Sequence, residues 1–244
     1  MGEVIAIVSG KGGTGKTSLC AAIGQALAAQ EKTVLCIDAD AGLRNLDIAL
    51  GVQELDALSF ADVYSGAYGI DMVLKHPQFE NLRFLTAPVN LTWQNVDEKC
   101  WAKLLEKAKK KFRYVLVDCP AGLGRGFCVT AKYADSFWIV TDPEPASIRG
   151  STRLAEELER LEKTQVRLLV NRVDPRELAK RKITIDDIMD ETGTALLGVV
   201  PQDNSVSDAA NGGKPLLTVS KKGAAAACSR IARRVQGISE PIKL

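Results

Sequence analysis

Histidine is almost missing from this chain: His76 is the only one in 244 residues. That excludes a histidine-based triad and a metal site built from several histidines. His76 precedes Pro77 in a loop-like stretch and is expected at the surface. Cysteine is sparse and unpatterned. Cys20, Cys36, Cys100, Cys119, Cys128 and Cys228 include no CxxC pair. They are expected to be small buried hydrophobes in a reducing compartment, not a disulfide frame or a zinc site. Charge of one sign is also lacking. With 32 Lys+Arg against 30 Asp+Glu the formal net charge is +2, so nucleic acid would have to bind at a local patch, and it is not an expected partner. No apolar run approaches the ~18 residues that span a bilayer. The opening MGEVIAIVSG has neither a basic segment nor a signal cleavage site, which gives a cytoplasmic expectation. There is no repeat, low-complexity tract or Pro/Ser-rich linker. The 46% apolar content suffices for one core, so residues 1–244 are expected to form a single domain, with 238–244 as a short tail.

What is present is a series of short apolar runs, each followed by a helical stretch. The runs are Val4–Val8, Thr33–Ile37, Leu82–Leu85, Tyr114–Val117, Phe137–Val140, Val166–Val170 and Leu196–Val200. The clearest helical stretches are 17–29, 97–112, 148–161 and 223–235. Short buried strands alternating with helices predict an α/β fold: a mostly parallel twisted sheet with helices on both faces. Ligands of such sheets sit at the carboxyl ends of the strands, so the residues after each strand are the candidates for function.

After the first strand comes Gly10-Lys11-Gly12-Gly13-Thr14-Gly15-Lys16-Thr17. It fits G-x-x-x-x-G-K-[ST], in which glycine backbone N–H groups wrap a phosphate chain and the next helix adds its positive end. Lys16 would reach the β- and γ-phosphates and the Thr17 hydroxyl would ligate Mg2+. The same glycines fit the G-x-G-x-x-G of a nicotinamide-dependent dehydrogenase, but Lys16-Thr17 at the helix start serves magnesium–phosphate chemistry and not a dinucleotide. Asp38 and Asp40 follow the second strand and Asp118 follows the strand from Tyr114. Carboxylates there can hold Mg2+ directly or through water and orient an attacking water.

These segments resemble the MinD/ParA family of dimerising P-loop ATPases. Lys11 fits its deviant loop K-G-G-x-G-K-[ST]. The run from Asp38 to Asp47 is similar to switch I of the MinD branch, and Asp118-Cys119-Pro120-Ala121-Gly122-Leu123 is similar to its switch II. Thr141–Glu144 and Asn211–Pro215 add further matches, so the likeness runs from Val4 to about Gly237. The chain departs from the pattern where the family usually has Glu after Pro-Ala-Gly-Leu: here stands Gly124-Arg125.

The resemblance implies a slow ATPase switch with ATP and Mg2+, placing the division site. Gly10, Gly12, Gly13, Thr14, Gly15, Lys16, Thr17 and Ser18 would hold phosphates. Thr17, Asp38 and Asp118 would serve magnesium, Asp40 the hydrolytic water, and Asn45 the phosphate region of a homodimer in which Lys11 reaches across. Asn171 and Arg172 would meet adenine, with Pro201 and Asp203 beside it. From the residues alone, Asn171-Arg172-Val173-Asp174 also mimics the N-K-x-D with which GTPases read guanine. The resemblance further implies a Min-type protein regulator or effector. Flagellar-number control, DNA or cargo partitioning and a metabolic P-loop enzyme are the alternatives. Family members of the MinD branch usually end in an amphipathic helix. The helical pattern at 223–235 instead suits docking on the core, Pro241 interrupts the tail at 238–244, and only weak membrane binding is expected. Peripheral inner-membrane association would need a longer form or a partner. Lys99, Lys103, Lys107, Lys110 and Lys111 recur at helical spacing and are expected on a solvated face.

Overall fold

The computed structural model describes residues 1–41 and 44–243; Gly42 and Leu43 of the switch I likeness, and Leu244, lie outside the described residues. In chain order the elements are β1 (Glu3–Val8), α1 (Lys16–Ala29), β2 (Val34–Asp38), α2 (Leu46–Leu50), α3 (Phe60–Tyr64), β3 (Lys75–His76), β4 (Phe79–Leu85), α4 (Glu98–Lys111), β5 (Tyr114–Asp118), α5 (Arg125–Tyr133), β6 (Ser136–Thr141), α6 (Pro145–Arg160), β7 (Val166–Val173), α7 (Pro175–Arg181), α8 (Ile185–Thr192), β8 (Leu196–Pro201), α9 (Ser205–Asn211), α10 (Leu216–Val219) and α11 (Gly223–Val235). One sheet runs β3-β4-β2-β5-β1-β6-β7-β8. All its pairs are parallel except β3 with β4.

The apolar strand runs are buried on both faces, and alternate residues belong to different cores. Val4, Ala6 and Val8 of β1 join one cluster with Leu35, Val117, Phe137 and the inner faces of α4 and α6. Ile5 and Ile7 join the other with Cys36, Leu116, Trp138 and helices α1 and α11. β1 lies centrally between β5 and β6, so the chain leaving it enters the crevice where the strand order changes direction. The α4 face of Trp101, Leu104, Leu105, Ala108 and Phe112 is buried, while Lys99, Lys103, Lys107, Lys110 and Lys111 lie on its outer side, all exposed. α11 packs on α1 and β8 and buries Ala224, Ala227, Cys228 and Ile231, as its small residues foretell. Arg234 of α11 donates to the carbonyls of Leu197 and Glu240 and Arg230 to that of Lys243, holding the tail against the helix.

The structure corrects several expectations. His76 is not a surface loop residue: it lies in β3, is 2% exposed, and its Nε2–H donates to the Leu50 carbonyl at 2.8 Å. Its Nδ1 accepts from the Gln78 N–H, so the ring is held neutral, and burial pulls its pKa below 6.5. Cys128 is exposed and Cys100 half-buried, unlike the other four cysteines. The antiparallel β3 and the short helices α2, α3, α5 and α7–α10 escaped the apolar-run reading. Among the described residues no helix is long and apolar enough to cross a membrane.

Candidate functional site

The chain leaves β1 at Val8 and turns through 9–15 into α1. Gly13 and Gly15 take φ of 85° and 90°, the left-handed region where a Cβ is strained. A Cβ on Gly10 would overlap the Gly150 backbone of α6, and one on Gly15 would strike Asn171 Nδ2. The loop is thus pressed between α6 and the end of β7, and Asn171 Nδ2 ties it down by donating to the Thr14 carbonyl at 2.8 Å. No side chain caps α1, which leaves its first backbone N–H groups and its positive end for a ligand.

Two joined cavities open over this loop. The first, about 450 Å³, is lined by Gly12, Gly13, Lys16, Thr17, Asp40 and Asn45 among others. The second, about 220 Å³, runs between Leu19 and Ala22 of α1, Pro201 at the end of β8 and Asp203 beyond it, Val206 of α9, and Cys228 of α11. Gly15, Ser18, Arg172 and Ala210 border both. An open trough over the loop leading into a smaller, more enclosed slot fits a phosphate chain with an attached base. Arg172 stands at the junction with φ of 55°, a left-handed backbone that a non-glycine residue adopts at some cost.

The charged groups converge at the ends of β2 and β5, where Asp38 and Asp118 are register partners. Lys16 Nζ lies 2.7 Å from Asp118 Oδ1 and both side chains are buried. Burial alone would lower the lysine pKa; the charge and hydrogen bond of Asp118 override it and leave it raised. Asp118 Oδ2 is buried with no hydrogen-bond partner, as are Ser9 Oγ and Thr14 Oγ1. Asp38 Oδ1 accepts from the Asp40 N–H, and its Oδ2 from the N–H groups of Asn45 and Leu46, each at 3.0 Å. Burial first and the neighbouring Asp118 second raise its pKa to about 6, against the pull of those N–H groups. Asp40 is half-buried; burial raises its pKa, Lys16 opposes this, and Asp118 adds to it. Lys11 is exposed on the outer side of the loop.

Of the predicted residues, Gly12, Gly13, Lys16, Thr17, Asp40 and Asn45 line the first cavity, Asn171, Pro201 and Asp203 the second, and Gly15, Ser18 and Arg172 both; Asp118 lies against Lys16 with Asp38 beside it, while Gly10, Lys11 and Thr14 line neither cavity. Two acidic residues near the base slot are engaged in holding the protein together. Asp203 accepts from the N–H groups of Ser205 and Ala224, joining the end of β8 to α11. Asp174 accepts from the Arg176 N–H and lies outside the lining of the second cavity. Sequence reasoning missed Trp93, whose Nε1–H donates to the Ala39 carbonyl at 2.8 Å, and Gly150 behind the loop. An indole in the polar stretch Asn90–Asn95 was the available signal for the first.

The profile of the CobQ/CobB/MinD/ParA nucleotide binding domain matches residues 5–216. The chain belongs to the MinD/ParA family. It is 36% identical to the septum site-determining protein MinD of Synechocystis over 99% of its own length and 92% of that protein's. It is also 36% identical to the Bacillus subtilis protein of that name, over 100% and 92%. Among solved structures it resembles the MinC:MinD cell division protein complex of Aquifex aeolicus, with a TM-score of 0.90 and 37% identity, covering 99% of this chain and 98% of that one. The MinD of Pyrococcus horikoshii complexed with Mg-ADP gives a TM-score of 0.83 at 28% identity, over 96% of both chains. The MinD/ParA fold therefore accounts for the sheet, the loop after β1 and the paired acidic strand ends together.

Proposed function

We propose that residues 1–244 form one ATP-hydrolysing switch that pairs with a second copy when MgATP is bound and helps to place the division site, the role after which its relatives are named. The observation that carries this reading is the buried Lys16–Asp118 pair at the foot of an uncapped helix, with Asp118 Oδ2 left without a partner. The donor set suits a hard cation: a hydroxyl at Thr17 and carboxylates at Asp118 and Asp38. Among the described residues no three Asp, Glu, His or Cys side chains converge to hold a metal by themselves. Mg2+ bound with a nucleotide needs only one or two protein ligands, the rest being phosphate oxygens and water. When bound, the ion neutralises charge on the transferring phosphoryl group.

This chain's own residues do the remainder. An entering γ-phosphate competes with Asp118 for the Lys16 ammonium, so nucleotide binding trades one anion for another around the same lysine. That trade frees Asp118 to face the cation and its water shell, with Asp38 behind. Asp40, half-buried across the trough, orients the attacking water. Lys11, exposed, serves the phosphates of a second copy, and Asn45 lies where the two copies would share the phosphate region.

The slot beside Asn171 and Arg172 favours adenine. The carboxylate oxygens of Asp203, its only acidic lining residue, are each bonded to backbone N–H. Guanine's N1 and N2 donors would therefore have to share oxygens that already serve the backbone. Titration calorimetry tests the reading: Lys16→Ala should weaken MgATP binding at least ~tenfold, and MgGTP should bind more weakly than MgATP to the unaltered chain. Asp40→Ala should bind ATP and accumulate as dimer by light scattering, because the water is no longer oriented. A cytoplasmic location with a Min-type protein partner completes the proposal. Unchanged MgATP affinity in Lys16→Ala would sink it.

A further inference from the structure

The peptide unit joining Ala39 to Asp40 is gripped at both polar ends. Its N–H, that of Asp40, donates to Asp38 Oδ1 at 3.0 Å. Its carbonyl, that of Ala39, accepts from Trp93 Nε1–H at 2.8 Å. One peptide back, the Ala39 N–H donates to the Asp118 carbonyl at 2.9 Å. The Ala39 carbonyl also accepts from the Ala41 N–H at 3.0 Å, so four hydrogen bonds restrain the backbone that carries Asp40.

Trp93 itself is anchored from two sides. The residue is 7% exposed, its ring stacked on Phe60 at 5.9 Å and set edge-on to Trp101 at 5.2 Å. Its carbonyl accepts from Arg125 Nε at 2.8 Å. Arg125 opens α5, directly after the Gly122–Gly124 stretch beyond Asp118. Gly126 completes the clamp: a Cβ there would lie 2.6 Å from both Trp93 Nε1 and the Pro120 ring. Arg125 is thus bonded to the turn that holds the Asp40 backbone.

We propose that Trp93 is a positioning residue for Asp40, and that Arg125 sets Trp93, so that the loop after β5 controls how well Asp40 is aimed. This rests on the reading of Asp40 as the residue that orients the hydrolytic water. A movement of the α5 start, through a nucleotide or a partner resting on it, would be felt at Ala39 through two hydrogen bonds.

The test uses the full chain with four substitutions. Trp93→Phe keeps an aromatic ring and removes the donor. Trp101→Phe makes the same change at the neighbouring buried ring, whose Nε1 has no hydrogen-bond partner, and controls for packing. Arg125→Leu cuts the link to α5, and Asp40→Ala is the reference. Steady-state hydrolysis gives kcat and KM for MgATP. Amide hydrogen exchange in the nucleotide-free protein reads the Asp40 N–H without any turnover.

Trp93→Phe should lower kcat ~tenfold with KM held within about twofold, and should speed exchange at the Asp40 amide ~tenfold. Arg125→Leu should move both readouts the same way, and Trp101→Phe should move neither. Wild-type kcat and exchange in Trp93→Phe or in Arg125→Leu would overturn the proposal, as would a Trp101→Phe effect equal to that of Trp93→Phe. A wild-type rate in Asp40→Ala would instead overturn the reading of Asp40, while faster exchange in Trp93→Phe would still report that the indole holds its backbone.

Discussion

Removing the Lys16 ammonium without changing the bulk of its side chain, as in Lys16→Met, should destabilise the nucleotide-free protein strongly. At 2.7 Å the attraction between the two charges is roughly 6 kcal/mol for an effective dielectric near 20. Much of that gain is offset by the cost of taking both ions out of water. Deleting the cation alone recovers only its own share of that cost and leaves Asp118 buried, in register with Asp38. Breaking a buried pair in this way costs about 3–5 kcal/mol, or roughly 6–20 °C in Tm at this chain length. The loss should also depend on pH. Asp38 has a folded-state pKa of about 6, so at pH 5 it carries a proton, whereas at pH 8 its charge stands beside the buried Asp118 side chain with no ammonium to offset it. Urea unfolding of wild type and Lys16→Met at the two pH values measures the difference. A loss under ~1 kcal/mol, or one equal at pH 5 and pH 8, would refute the argument that the ammonium is sealed into a buried pair.

The same geometry sets three further outcomes. Gly10→Ala forces a Cβ into the Gly150 backbone, so the loop must shift and MgATP affinity by calorimetry should fall more than ~tenfold. Asp203→Ala removes the acceptor of two N–H groups; each lost cap is worth ~1 kcal/mol, and denaturant melts should show a loss of about 2 kcal/mol. His76 is neutral in the fold with its pKa pulled below 6.5, so its contribution is complete above that value. It is lost as pH falls further, because only the unfolded chain then takes up the proton. Unfolding free energies between pH 7 and pH 5 should slope less in His76→Gln than in the wild type.

The strands and the phosphate loop could be read from the sequence because their determinants are local. An apolar run such as Val4–Val8 can only be buried, and a glycine loop running into Lys16-Thr17 carries its chemistry in consecutive residues. Asp38 and Asp118 were legible because strands of a parallel sheet present their last residues to a shared edge. The groups that tune the site were not, because their partners are distant in sequence. His76 meets the carbonyl of a residue 26 positions away, and Trp93 one 54 positions away. Neither has a neighbour in the chain that would announce the bond. Lys16 was read as a phosphate ligand, yet its partner in the fold, Asp118, is 102 residues off. Nothing in the motif foretells that pairing. The short helices α2 and α3 were missed because five residues are too few for a helical period to show.

Ala224 and Cys228 of α11 line the slot that Gly15 and Leu19 begin, and the Ala224 N–H is fastened to Asp203. The pocket is therefore shut by a segment made some two hundred residues after it was opened. During synthesis the growing chain exposes the glycine loop early, but it has no wall for a base until Gly223–Val235 has left the ribosome and docked.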